Sequence, residues 1–238
     1  MNYSISTIVC VFNEERTIGN IVRALVESSN VDEVIVINDG SSDGTSKELK
    51  HFEQILKLEI VEFSENRGKG YAMAEGIQRA KGNIIVFIDS DLVNFNIKHV
   101  DQLVQPLLGG NADMVIGQPT INMVFHDKLN PLKPLSGERA VFRKDILPLV
   151  HRMRESRFGV ETLINLYYKT QKKRIEYANL WGLVHPLKMQ KHSVDKSVIE
   201  YWKATNQIMK TAIVNYSLII ILTRNIFLRS LDKIYHVF

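Results

Sequence analysis

The sequence predicts an α/β protein with a doubly wound, mostly parallel sheet flanked by helices, followed by a helical C-terminal tail. Three observations carry this reading. Apolar runs of strand length alternate with helical patterns along the first half of the chain. The runs are continuous instead of alternating in and out, which fits strands covered on both faces. Several of them stop abruptly in small polar or acidic residues, as strands do where a sheet opens onto a crevice.

In order, Ser4 to Phe12 reads as a first buried strand, closed by Asn13-Glu14-Glu15. Arg16 to Ser29 places Ile18, Ile21, Val22, Leu25 and Val26 on one helical face. A second strand, Val34 to Ile37, runs into Asn38-Asp39-Gly40-Ser41-Ser42-Asp43-Gly44-Thr45, a loop that enters a helix with Ser42 as its expected N-cap. The third strand, Leu58 to Phe63, is followed by Glu65-Asn66-Arg67-Gly68-Lys69-Gly70 and a helix from Tyr71 to Ala80. A strand at Ile84 to Ile88, a helix at Ile97 to Leu108 and a strand at Asp113 to Gly117 complete the half.

The pivotal stretch is Gly82 to Leu92, whose apolar run ends in Asp89-Ser90-Asp91. In an extended chain, residues i and i+2 face the same side. Two carboxylates there repel unless a cation lies between them, and hard divalent ions take oxygen ligands. Capping of the next helix is the competing reading for this pair. Lys69, at a helix start where unpaired N–H groups favour an anion, fits a phosphate site or a solvated surface. Asp39 fits either a nucleotide contact or a simple turn.

Length fits one large domain or one domain with an appendage. The single cysteine, Cys10, excludes an internal disulfide and fits a reducing compartment. The N-terminus shows no signal-peptide pattern. A net charge of +4 suits phosphate-bearing ligands or an anionic membrane face, and no nucleic-acid motif accompanies it.

The motifs carry a resemblance. Val11-Phe12-Asn13-Glu14-Glu15, the loop from Asn38 to Thr45, Asn66-Arg67-Gly68-Lys69-Gly70 and Asp89-Ser90-Asp91 resemble, in order and spacing, the opening of family 2 glycosyltransferases. The resemblance implies a GT-A fold that binds a nucleotide diphosphate sugar with a divalent metal, Mg²⁺ or Mn²⁺. It implies Phe12, Asn13, Glu14, Asp39, Lys69 and Ser90 for the nucleotide, and Asp89 and Asp91 for the metal. Asn38 departs from the Val or Asp of many relatives and bears on which base is bound. Uridine is the expected one, through Asp39.

Residues 1–193 are expected to form the glycosyltransferase domain, with a nucleotide half at 1–118 and an acceptor half at 119–193. Gln118 to Lys133 reads as an irregular loop over the site. By resemblance, Gly137, Glu138 and Arg139 line the sugar and acceptor pocket. Glu161 opens a helix whose apolar stripe holds Leu163, Ile164, Leu166 and Tyr167. Its carboxylate is a candidate catalytic base, or a first-turn charge complementing the helix dipole. His185 follows a predicted strand ending near Trp181 and, by resemblance, completes the metal site.

In the tail, residues 194–238, Ser197 to Thr211 reads as a mixed helix. Ala212 to Leu222 is apolar but about half the roughly 20 residues that span a bilayer. Arg224 and Arg229 follow, so the segment fits a membrane interface, a homodimer contact or a core helix. The expected protein is cytoplasmic, or peripheral on the inner membrane face. It would transfer a hexose to a polyprenyl phosphate or other membrane-associated acceptor, or alternatively to a small phosphorylated acid as in glucosyl-phosphoglycerate synthases. Inverting and retaining outcomes both stay open. A nucleotidyltransferase would need a Gly-rich basic loop where Phe12-Asn13-Glu14-Glu15 stands. A non-catalytic scaffold would be expected to have lost its cleft acids. A dinucleotide-binding dehydrogenase would need G-x-G-x-x-G after the first strand.

Overall fold

A computed structural model describes residues 3–120, 136–156, 159–184, 213–221 and 223–224. The sheet has seven strands in the order β3-β2-β1-β4-β6-β5-β7. Strands β1 (Ile5–Val11), β2 (Glu33–Asn38), β3 (Leu58–Glu62) and β4 (Ile84–Asp89) pair in parallel. Helices α1 (Ile18–Val26), α2 (Thr45–Lys50), α3 (Lys69–Arg79) and α4 (Ile97–Leu108) connect them in turn and lead to β5 (Met114–Thr120). Beyond it come β6 (Arg139–Phe142), α5 (Arg143–Ile146), a 3-10 turn at Leu147–Leu149, α6 (Val150–Glu155), α7 (Val160–Thr170) and β7 (Ile175–Trp181).

Side chains along each central strand alternate between two cores. Val9 and Val11 of β1, Val34 and Val36 of β2, and Ile84, Val86 and Ile88 of β4 pack with α1 and α4. Ile8, Ile35, Ile37, Ile85 and Phe87 face the other way, onto α3, α6 and α7. Both faces are therefore apolar, which is why these strands read as continuous runs.

Strand β6 runs antiparallel between β4 and β5, pairing Ile84 with Phe142 and Ile116 with Arg139. Sequence reading missed it because its four residues, RAVF, begin with an arginine and are shorter than a typical run. The two expected halves consequently share one sheet. Gln118, Pro119 and Thr120, expected in a loop, extend β5 along β7. The rest of that expected loop, residues 121–133, lies outside the described residues. Ser42 does not cap α2; the helix starts later, with Gly44 at the N-cap. Tyr168, not Tyr167, is the fully buried aromatic of α7. In the tail, Leu218 is 5% exposed and joins the α3–α7 core, whereas Ile213, Val214, Tyr216, Ile220 and Ile221 are exposed. The expected helix at 197–211 lies outside the described residues. Among the described residues, no helix is long and apolar enough to cross a membrane.

Candidate active site

The carboxyl ends of β1 and β2 are stitched together by short polar side chains. Asn13, in the left-handed region at φ 56°, donates its amide to Ser41 Oγ (2.9 Å) and accepts the Ser42 amide on Oδ1 (2.8 Å). The Glu14 amide donates to Thr45 Oγ1 at 3.0 Å, and Glu15 Oε2 accepts the Gly44 amide at 2.7 Å. Asp43 accepts from the Thr45 amide and hydroxyl and from the Glu15 amide. Burial opposes ionisation of Asp43, but these hydrogen bonds outweigh it and hold its pKa below the usual aspartate value. Asn38 is buried, donating to Ser46 Oγ and Glu62 Oε1 and accepting the Ser41 amide. The departure from the family residue is thus absorbed by the scaffold.

Asp39, 4% exposed, clamps the next loop. Its two oxygens accept the amides of Arg67 (2.7 Å) and Gly68 (2.8 Å). Gly68 is the N-cap of α3 at φ 94°, a conformation a side chain would strain. The clamp sets the first turn of α3, and with it Lys69. Arg67 stacks its guanidinium 3.4 Å from the Tyr71 ring centroid, bracing the same loop.

Lys69 reaches under the sheet edge to two carboxylates at once, Asp89 Oδ1 at 2.7 Å and Glu161 Oε1 at 2.8 Å. Glu161 stands in the first turn of α7, so a parallel strand and two helices converge on one ammonium. Burial disfavours the ammonium, yet the charges of Asp89 and then Glu161 overcome that and raise its pKa well above the normal lysine value. Lys69 is therefore charged at neutral pH. Cys10, opposite Asp89 in the sheet register, lies beside the same group; burial pushes its thiol pKa up, so it stays protonated and unreactive.

Beneath this trio, Arg139 is fully buried. Its Nη2 donates to the Ser136 carbonyl (2.6 Å) and its Nη1 to Asn165 Oδ1 (3.3 Å). Burial lowers its pKa against the opposing pull of the Glu161, Asp89 and Glu138 carboxylates. Glu138, also fully buried, accepts the Ser136 hydroxyl at 2.6 Å. Both residues hold the Ser136-Gly137 segment in place. Gly137 itself abuts the site: a Cβ there would lie 2.2 Å from Asp89 Oδ2.

Of the other expected residues, Phe12 is 45% exposed just past the end of β1. Ser90 is buried, and its carbonyl accepts the Thr17 hydroxyl at 2.6 Å. Asp91 is half-buried just past β4. His185 lies outside the described residues, as do Lys188 and Lys191. Among the described residues, no group of three or more His, Cys, Asp or Glu side chains forms a ready metal cage. Asp89 and Asp91 nonetheless suit a divalent cation in donor type, and Asp89 already holds a cation in the Lys69 ammonium.

The sequence reading passed over His99. It is 2% exposed in α4, its Nδ1 accepts the Asn96 amide (3.2 Å), and its Nε2 donates to the Trp181 carbonyl (2.9 Å). The signal was present as a capping box, Asn96-x-x-His99, with histidine where glutamate is usual.

Acids at the carboxyl ends of parallel strands, a lysine at a helix start and an antiparallel strand inserted beside β4 together define an α/β enzyme of the GT-A class. The chain belongs to glycosyl transferase family 2, whose profile matches residues 6–199. It is 34% identical over 119 residues to dodecaprenyl-phosphate galacturonate synthase of Rhizobium johnstonii, covering 48% of this chain and 35% of that protein. Glucosyl-3-phosphoglycerate synthase of Mycolicibacterium paratuberculosis is 34% identical over 114 residues, 46% of this chain and 35% of the relative. The matched region thus spans about a third of these curated relatives. Among solved structures, glucosyl-3-phosphoglycerate synthase of Mycobacterium tuberculosis, in complex with Mn²⁺, UDP and glucosyl-3-phosphoglycerate, superposes with a TM-score of 0.68. It is 25% identical, over 90% of this chain and 80% of that one. The same enzyme has been solved with Mg²⁺ and UDP, at a TM-score of 0.66 and 26% identity, covering 90% of this chain and 79% of that one.

Proposed function

We propose that this chain transfers a hexose from a UDP-linked sugar to a phosphate-bearing acceptor, with a divalent metal at Asp89 and Asp91. The observation that carries the reading is Lys69 held between Asp89 and Glu161 at the start of α3. An ammonium shared by two acids is poised to be traded. A diphosphate arriving at the α3 N-terminus attracts the Lys69 ammonium through charge, where the positive end of the helix dipole also favours an anion. Glu161, released from Lys69, then accepts the proton of the acceptor hydroxyl or orients the acceptor's phosphate. The metal, when bound, neutralises the departing diphosphate. Phe12 offers a flat apolar face for the base, next to the loop that Asp39 shapes.

The exposed apolar side chains of the tail favour a polyprenyl phosphate acceptor, because a lipid-bearing substrate needs an apolar approach to the enzyme. The likeness to the phosphoglycerate enzymes supports a second reading, a small phosphorylated acid. The test is a screen of UDP-, GDP- and ADP-sugars with Mn²⁺, scored by release of nucleoside diphosphate with a polyprenyl phosphate, with 3-phosphoglycerate or with neither. UDP release stimulated by the lipid alone is the expected result. Stimulation by 3-phosphoglycerate alone moves the assignment to the second reading, and no release with any donor overturns both.

A further inference from the structure

We infer that His99 is a positioning residue for the metal site: it is a strut that fixes the loop carrying Asp91 against the exit of β7. Asp91 is followed by Leu92, Val93, a left-handed Asn94 at φ 61°, Phe95 and the helix cap Asn96. Nothing in that run is strand or helix, so the placement of Asp91 depends on what the loop is tied to. Besides the Thr17 hydroxyl on the Ser90 carbonyl, three hydrogen bonds tie it to one partner segment. Val93 and Val184 exchange backbone hydrogen bonds, Val93 N–H to Val184 O at 2.9 Å and Val184 N–H to Val93 O at 3.1 Å. His99 adds the third tie, to the Trp181 carbonyl at 2.9 Å.

The partners fix the chemistry of the ring. The Asn96 amide can only donate, so Nδ1 is the acceptor; the Trp181 carbonyl can only accept, so Nε2 carries the proton. A single neutral tautomer satisfies both. At 2% exposure, with Phe95 against its ring at 5.8 Å, His99 has no solvent role. One buried ring thereby sets the register of two segments, the one holding Asp91 and the one that continues into His185 in the sequence. Residues that orient ligands in this way, when altered, typically weaken metal binding about 10- to 100-fold.

Two near-isosteric changes separate the two bonds. In His99→Asn the amide oxygen replaces Nδ1 and keeps the Asn96 cap, but nothing reaches Trp181. In His99→Gln the amide nitrogen replaces Nε2 and keeps the strut, while the cap acceptor is lost. The inference rests on the functional reading above, so two readouts are paired. Calorimetric titration of UDP with and without Mn²⁺ reports on the metal site. Hydrogen exchange at the Val93 and Val184 amides reports on the strut whether or not UDP binds.

His99→Asn is expected to weaken the Mn²⁺-dependent part of UDP binding about tenfold and to speed exchange at both amides. His99→Gln should stay within about threefold of wild type in both. Equal effects of the two variants, following their loss of thermal midpoint, would overturn the inference and leave His99 as an ordinary cap. Should His99→Asn not fold, Val93→Pro, at an exposed position, removes one bridge donor; unchanged Mn²⁺ dependence there overturns it as well. If wild type binds UDP with no dependence on Mn²⁺, the functional reading fails, and amide exchange alone decides for or against the strut.

Discussion

The two edges of the sheet use similar residues in opposite ways. At the amino ends of the strands, a cleft of about 540 Å³ is lined by Ser4, Ser6, Asp32, Glu33, Lys57 and Lys81, among others. Most of its charges meet neutral chain groups, although Glu59 pairs with Arg79: Glu33 accepts from the Ser6 hydroxyl (2.6 Å) and the Lys81 amide (2.9 Å), and Asp32 accepts the Ile5 amide (2.7 Å). Lys57 donates to the carbonyls of Ser28 and Val31. At the carboxyl ends Asp39 and Asp43 likewise accept backbone amides, but Lys69 there stands between two acids, Asp89 and Glu161. A carboxylate bonded to backbone amides is committed to the fold. One that holds an ammonium can exchange it for another cation. The kind of partner each charge has is what sets the two edges apart.

Replacing Lys69 should break this contrast most severely. Lys69→Met leaves two acids facing one another without their cation. We expect a loss of about 2 to 3 kcal/mol in stability, below the roughly 3–5 kcal/mol of a fully buried pair because a quarter of the lysine side chain meets solvent. Transfer activity should fall at least about 100-fold, since a charge aimed at the diphosphate is gone. Urea melts and UDP release measure the two effects; a variant with near-normal turnover would remove Lys69 from the site.

Gly137→Ala probes the same place sterically. The new Cβ would meet the Asp89 carboxylate at 2.2 Å, so that carboxylate must move. We expect a cost of about 1 to 3 kcal/mol and Mn²⁺ affinity reduced by roughly tenfold, in line with a disturbed metal ligand. The titration used for His99 reads it directly. Unaltered metal affinity would show that Asp89 does not serve the metal.

Asp43 tests the supporting loop. Asp43→Ala should cost about 1 kcal/mol, the worth of a lost side-chain cap. Because the folded pKa of Asp43 lies below its unfolded value of about 3.9, its contribution is present above that value and is lost as pH falls through the folded pKa. The stability difference between wild type and variant should therefore be constant from pH 5 to 7 and shrink below about pH 4. At the other edge, Lys81→Ala should change stability by no more than about 0.5 kcal/mol, since its side chain is 87% exposed and its ammonium lies 3.9 Å from Glu33. A larger loss would mean that the two edges are less different than their partners suggest.

Much of this contrast was legible in the sequence. Strands β1, β2 and β4 could be read because both of their faces are buried, and Asp39, Lys69, Asp89 and Glu161 stood at strand ends or at helix starts. What could not be read depended on contacts distant in the chain. Nothing near Asp39 announces that it will accept the amides of Arg67 and Gly68, and nothing in the sequence of Glu138 and Arg139 announces that both are buried, with Arg139 bonded to Asn165 of α7. Tyr167 and Tyr168 both fit a helical stripe, and only packing decides which one is covered.

The antiparallel β6 has a consequence for how the molecule comes into being. During synthesis the four parallel strands emerge first and can assemble as a unit. Until β6 returns to pair with it, β4 then presents an open row of backbone donors and acceptors, the kind of border that invites another chain. The same return brings Gly137 against Asp89. Closing the sheet therefore also seats Gly137 at Asp89, and a chain stopped short of Arg139 forfeits both contacts.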